Sequence, residues 1–179
     1  MSKYAQRALT WMAATAVLSV AIHYATVHWY PTLYMSSCLR QLVARVGMHQ
    51  FVHASPPTSE NRDSPCLPSP DLTYSAAAFD LSQGPLRVTA ALVGPYMSVS
   101  CYSANTDNFL VANDRQVQRD KFDFILVGPA APDPGIGGIP VIRAPSSTGG
   151  ILVRFFVGDR DDLNKIESVR RQMSCSVLK

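Results

Sequence analysis

No charged residue lies between Arg7 and Arg40 of this 179-residue chain. Within that gap, Ala8 to Tyr30 (ALTWMAATAVLSVAIHYATVHWY) forms an apolar run of 23 residues, roughly 34 Å long if helical. A hydrocarbon layer is about 30 Å thick, so the run is long enough to cross one. Trp11 stands near one end and His28, Trp29 and Tyr30 near the other, where amphipathic rings meet the two membrane interfaces. The apolar region of a cleaved signal spans about 7–15 residues and ends in small side chains. This run is longer and ends in bulky aromatics, so we expect an uncleaved anchor.

Charge placement gives the expected orientation. Four of the 16 Lys and Arg, and none of the 13 Asp and Glu, fall before residue 50. Lys3 and Arg7 favour a cytoplasmic N-terminus, an asymmetry that Arg40 and Arg45 beyond the run weaken. The expectation is a single-pass protein of a bacterial inner membrane with its C-terminal domain in the periplasm. That domain is nearly neutral, and a nucleic-acid binder needs a basic face on its folded part. Nucleic acid is therefore excluded as a partner, and the lipid bilayer is the first partner expected. His23 lies inside the run, where a polar side chain usually faces a neighbouring helix. Ala13, Ala14, Ala16, Ser19 and Ala21 would let such a helix approach closely. His23 is therefore expected to be a helix-contact residue, with a proton relay as the alternative.

Pro31 is expected to end this helix. Met35, Cys38, Leu39, Leu42, Val43 and Val46 then recur at spacings of three and four, the apolar stripe of a second, short helix. It would lie on the membrane surface or dock on the domain. Five prolines between Ala54 and Pro70 mark a linker. The expected division is an anchor over 1–31, a membrane-proximal helix and linker over 32–70, and a β domain over 71–179.

From Leu72 onward, short apolar runs alternate with turn-forming residues, the spacing of a sandwich or barrel. Strands are expected near 73–80, 86–93, 96–103, 108–113, 122–127, 140–143 and 150–157. The central pair is Tyr96–Arg115. Met97, Val99 and Cys101 alternate with Ser98, Ser100 and Tyr102, and a turn-rich SANTDN leads into Phe109–Ala112. That is a hairpin. No long helix interrupts the series, which argues against a parallel βαβ sheet. Asp159 is expected to cap a closing helix, with Asp161 and Asp162 in its first turn and Leu163, Ile166, Val169 and Met173 as its buried stripe. Arg170 and Arg171, near the C-terminal end, are expected to face the opposite pole of the helix dipole.

Little in the domain carries chemistry. Histidine is absent after His53, so a Ser-His-Asp triad or a His-based zinc site has no source there. Neither a metal nor a cofactor is expected. Cys38, Cys66, Cys101 and Cys175 contain no C-x-x-C pair. In an oxidising compartment they allow three disulfide pairings, which stay open, as does a redox role for a bonded pair. Cys101 also fits as a small apolar strand residue. The remaining candidates are polar residues at strand ends: Asp107, Asn113, Asp114, Arg115, Arg143 and Arg154. Arginine forks grip planar anions and Asn/Asp pairs bind hydroxyls, so these could line a sugar, lipid or carboxylate pocket. Asp and Asn also serve turns, and strand arginines form ion pairs.

Five ordered blocks make the domain similar to a known family. They are Phe79–Val88 (FDLSQGPLRV), Tyr96–Arg115, Leu126–Pro129, Val141–Pro145, and Arg154 with Val157–Asp159 and Asp162–Leu163. Over about residues 72–178 the chain resembles the bacterial family known as domain of unknown function 1254. His23–Val27 also resembles the end of the helix in its short, membrane-anchored members. The resemblance implies a β-sandwich or jelly-roll-like fold and supplies no catalytic residues. Longer relatives carry a companion, domain of unknown function 1214, on the same chain. Here the chain stops after its expected closing helix, so the companion is expected on a second small membrane protein. Short members often carry Cys before the Asp-Leu-Ser block, where this chain has Ala78-Phe79; a shared disulfide is not implied.

The expectation is thus a mainly β protein: one N-terminal transmembrane helix, then a β-sandwich/jelly-roll-like domain with a C-terminal capping helix. Its expected role is binding and assembly with that partner. The alternative is a cell-envelope enzyme or a sugar/lipid-binding protein.

Overall fold

The computed structural model describes residues 2–54, 69, 71–94, 96–117, 120–158 and 160–178. The chain begins with one long helix, α1 (Lys3–Val46, 44 residues), followed by β1 (Phe51–His53), β2 (Leu72–Asp80), β3 (Leu86–Ala91), β4 (Met97–Ser103), β5 (Asn108–Asn113), β6 (Lys121–Val127), β7 (Val141–Arg143) and β8 (Thr148–Phe156). A short helix, α2 (Arg160–Arg170), and a last strand, β9 (Ser174–Val177), complete it.

Pro31 does not end the helix. It lies inside α1, and the stripe beginning at Met35 belongs to the same rod. A proline costs one hydrogen bond, because it has no N–H to give the carbonyl four residues back. The turns on both sides keep theirs, so the helix continues. Ser2 caps the start, its Oγ accepting from the Ala5 N–H at 3.3 Å. Gly47, at φ +91°, ends it and returns its N–H to the Val43 carbonyl at 2.8 Å. The first part of α1 leaves its apolar side chains exposed on all sides. Trp11, Met12, Val17, Val20 and Ile22 are all exposed. An 18-residue window of α1 has a mean hydropathy of 1.4, and the helix is long and apolar enough to cross a membrane.

The β domain is a sandwich of two sheets. One has the order β1-β2-β8-β4-β5 and the other β7-β6-β3-β9. All pairings are antiparallel except β6 with β7. The alternation seen in Met97, Val99 and Cys101 does point these residues inward. They stand opposite Phe155, Val153 and Ile151 of β8, and all six are buried. From the other sheet come Leu86, Val88, Ala90, Phe122, Phe124 and Leu126, in the same continuous core. Each large side chain buried this way contributes about 1.5–3 kcal/mol. The hairpin expected at Tyr96–Arg115 is β4 and β5. A register shift after Cys101 turns both Phe109 and Leu110 toward the core, where the Phe109 ring meets Phe79 edge-on at 6.4 Å.

Two short strands went unforeseen. β1 adds the sequence FVH to the edge of β2, and β9 follows α2, pairing with β3. The last described element is therefore a strand, with α2 packed against β3 and bonded to β2 through Arg170. The proline-rich linker, the Asp159 cap and Cys66 lie outside the described residues.

The last turns of α1 dock on the outer face of the five-stranded sheet. Leu39 Cδ2 comes within 3.6 Å of where a side chain at Gly150 would begin. Beyond the helix, the His49 N–H donates to the Ala78 carbonyl at 3.0 Å, and His49 Nε2 accepts the Asp80 N–H at 3.0 Å. The segment packs on the domain as the continuation of α1, not as the separate short helix expected.

Candidate functional site

The polar residues singled out in the sequence separate into four settings. Asp107 stands in the β4–β5 turn. Its Oδ2 accepts from Asn105 Nδ2 at 2.6 Å, and its carbonyl accepts the Ser103 N–H at 2.9 Å. Ser103 Oγ adds a short bond to Asn105 Oδ1. At the other end of β5, Asn113 Oδ1 caps a second turn, accepting the N–H groups of Arg115 and Gln116 at 3.1 and 3.2 Å. Arg115 is exposed, and Asp114 is half-buried with Oδ1 lacking a hydrogen-bond partner. Arg143, on β7 in the other sheet, donates through Nη1 to the carbonyls of Gly128, Pro129 and Ala131 at 3.0, 3.2 and 2.6 Å. It organises the loop that joins two parallel strands.

Arg154 is the one that joins a wider set. Register places it between Tyr74 of β2 and Ser98 of β4, with Asn113 of β5 opposite Ser98. Its Nη1 donates to Ser100 Oγ at 2.8 Å and its Nη2 to the Tyr102 hydroxyl at 3.0 Å. Arg154, Ser98 and Asn113 thus share one row on the outer face of the five-stranded sheet, and Asp114 follows directly. Asp107 lies a strand's length away and Arg143 in the opposite sheet. These residues do not converge on one cavity.

The core also holds a charged side chain that was not expected on the buried stripe of α2. Arg170 is 1% exposed. It donates to the carbonyls of Ala54 and Tyr74 at 3.1 and 2.7 Å, to Thr73 Oγ1 at 2.5 Å and to Glu167 Oε1 at 2.6 Å. Its guanidinium carbon lies 5.6 Å from the centre of the Phe155 ring. The signal was present: Arg170 stands four residues after Ile166, on the buried stripe of α2. Its positive charge helps hold the nearby His53 imidazole below its usual pKa, burial being the larger cause and Glu167 opposing both.

Two clefts open on this frame. One, of about 560 Å³, lies where β5 faces β6 and β7, with Leu110, Ala112, Val117, Phe122, Phe124 and Ile142 among its walls. Here the sandwich is open, and among the described residues β5 is a sheet edge without a further strand, with Val111 exposed. On its rim, Asp123 holds Arg87 in a two-armed ion pair at 2.9 and 2.8 Å. The hydrogen bonds from Arg87 are the main reason its carboxyl stays below the usual range. The other cleft, about 640 Å³, lies between α1 and the β4–β5 turn. Tyr24, Val27, His28, Trp29, Pro31, Thr32 and Leu33 form one wall, and Asn105 and Asp107 the other. A helix ended at Pro31 could not have shown it. His23 is exposed on α1 and does not line this cleft.

Cys38, Cys101 and Cys175 are all free thiols, the last two buried. Burial pushes Cys175 up to about 12 and Cys101 higher still, with Cys175 adding to the latter. Among the described residues, no group of three or more His, Cys, Asp or Glu is placed to hold a metal.

The fold has relatives among solved structures. The VPA0106 protein from Vibrio parahaemolyticus is similar at a TM-score of 0.68 and 12% identity, over 86% of this chain and 37% of that one. An uncharacterized protein from Burkholderia cenocepacia matches at a TM-score of 0.46 and 19% identity, over 76% of this chain and 38% of that one. The chain thus spans less than two fifths of the length of either. No curated protein matches it. Residues 48–177 match the profile of the family described as "Protein of unknown function (DUF1254)", and the chain belongs to that family.

Proposed function

We propose that this is a single-pass protein of a bacterial inner membrane, N-terminus in the cytoplasm, whose periplasmic sandwich binds and assembles with a separate membrane protein. The partner would carry the companion domain, of unknown function 1214. The observation that supports this most is the open side of the sandwich. The opposite side is sealed by α2 and the buried Arg170. Among the described residues, the β5 side presents an unpaired strand edge above an apolar cleft, the arrangement that accepts an added strand or an apolar wedge from another chain. The exposed apolar length of α1, with His23 and its small residues, gives a second surface for a neighbouring helix.

Affinity purification of the full chain from native membranes tests this. The expected result is a stoichiometric membrane partner that is lost when Leu110→Asp and Val111→Lys are combined on β5. A chain that purifies alone as a monomer overturns the proposal.

A further inference from the structure

The α1 cleft sits at a defined height. Its helical wall, Tyr24 to Leu33, covers the end of the apolar run, where a spanning helix passes into the headgroup layer. Asn105 and Asp107 at the tip of the β4–β5 hairpin therefore stand at headgroup depth too. An exposed carboxylate among lipid phosphates is unfavourable unless a cation meets it, and among the described residues no Lys or Arg lines the cleft. The described lining leaves that cation to be supplied by the lipid.

We propose that this cleft binds the headgroup of a bilayer lipid carrying a primary ammonium, of the ethanolamine type. The proposal rests on α1 spanning the membrane. Asp107 spends Oδ2 on Asn105 and has Oδ1 for an ammonium N–H. Val27, also in the wall, has a carbonyl that Pro31 cannot supply with a donor. The rings of Tyr24 and Trp29 add faces of the kind that attract a cation. Beside them, the Thr32 hydroxyl, the Trp29 indole N–H and the His28 ring, stacked on Tyr24 at 6.0 Å, offer donors to the adjoining phosphodiester. The wall thus suits a zwitterion, with acceptors for its ammonium and donors for its phosphate. A volume of about 640 Å³ is that of a small-ligand pocket. A choline headgroup has no N–H for Asp107, and a glycerol headgroup has no positive charge.

The test begins with alkaline extraction of membranes containing the full chain. Release into the supernatant overturns the spanning reading itself. For retained chain, purified in detergent and offered equal amounts of phosphatidylethanolamine, phosphatidylcholine and phosphatidylglycerol, bound lipid is counted by native mass spectrometry. Phosphatidylethanolamine should be retained about fivefold over each of the others, a factor fitting one exposed charge-assisted bond. Asp107→Asn, which keeps a carbonyl for the Asn105 bond, should bring the three to parity. Equal retention by the parent chain overturns this proposal alone, as does a preference that survives Asp107→Asn. If that variant fails to fold, Trp29→Leu decides. It leaves the turn untouched and should roughly halve the preference, and an unchanged preference overturns the proposal.

Discussion

Arg170 Nη2 donates to Thr73 Oγ1 at 2.5 Å, a bond between residues 97 positions apart that pins α2 to β2. Replacing Arg170 by Leu would fill the space but leave the Thr73 hydroxyl and the Tyr74 and Ala54 carbonyls without this donor. Hydrogen bonds from a charged donor are worth about 1.5–3 kcal/mol each, offset here because the Tyr74 carbonyl still accepts the Ala54 N–H at 2.9 Å and the Ala54 carbonyl the Thr73 hydroxyl at 3.5 Å. We expect Arg170→Leu to lower the unfolding free energy by about 2–4 kcal/mol, measured by urea titration in detergent. The exposed neighbour Arg171→Leu should change it by less than about 0.5 kcal/mol. Equal stability of the two variants would contradict the arrangement.

Gly149 and Gly150 should respond in opposite ways. A Cβ on Gly149 would fall on the Tyr102 carbonyl oxygen and lie 2.5 and 2.8 Å from two carbons of the Phe79 ring. On Gly150 it would meet only Leu39 Cδ2 at 3.6 Å and the Ala77 carbonyl at 3.9 Å. Gly149→Ala is expected to lose more than about 3 kcal/mol or to remain unfolded. Gly150→Ala should fold with a melting temperature close to that of the parent.

Acid should weaken the domain in two stages. His53 titrates below its ordinary 6.5 when folded, chiefly because it is partly buried, so the unfolded chain takes up its proton first. Its contribution is full above pH 6.5 and is lost as the pH falls from there through the folded value. Asp123 titrates below its ordinary 3.8 when folded, so its contribution holds above that value and is lost further down. Urea midpoints across pH 7.5 to 3 should show both losses. His53→Gln should flatten the upper stage and Asp123→Asn the lower. A parent profile flat from pH 7 to 5 would count against the His53 environment.

The thiols offer a direct check of the core. In a Cys66→Ser background, maleimide should label Cys38 within minutes, since it is exposed. Cys101 and Cys175 should label only after denaturation, because both are buried and their raised pKa values keep them from forming thiolates. Fast labelling of all three in the folded chain would contradict the packing.

Thr106 is held at φ +73° in the β4–β5 turn, a region where a β-branched residue is strained. Asn tolerates that conformation better. Thr106→Asn should therefore raise stability by about 0.5–1 kcal/mol, read as an upward shift in the thermal midpoint. A downward shift would mean that the hydroxyl makes a contact worth more than the strain.

Alternation and turn residues over Tyr96–Arg115 gave away the hairpin, because β4 has one buried and one covered polar face and a turn of Asn and Asp at its end. β8 was equally legible, with Ile151, Val153 and Phe155 inward. β1 and β9 were not: three and four residues are too few to show a period, and each is a strand only because β2 or β3 offers an edge. Pro31 was read by a rule that holds for isolated helices in water, whereas here the helix continues on both sides of it. Arg170 was missing from the expected stripe because its charge suits the C-terminal pole of a helix, although its spacing from Ile166 fits the stripe. The site was less legible still. Asp107 reaches a cleft wall that exists only because α1 runs on past Pro31, and Arg143 spends its donors on a loop whose path depends on the parallel β6–β7 pairing.

α1 runs as one helix from the part long and apolar enough to cross a bilayer to the part that grips the sheet, with Pro31 between them. A rod of 44 residues is roughly 66 Å long, and tipping it by about 10°, as bilayers of different thickness do to a spanning helix, carries one end some 11 Å sideways (roughly) relative to the other. The sandwich has to lean with it. If α1 spans a membrane as proposed, the β5 edge is presented at an angle set by the bilayer, and a partner bound there would sense bilayer thickness through the lean of the domain.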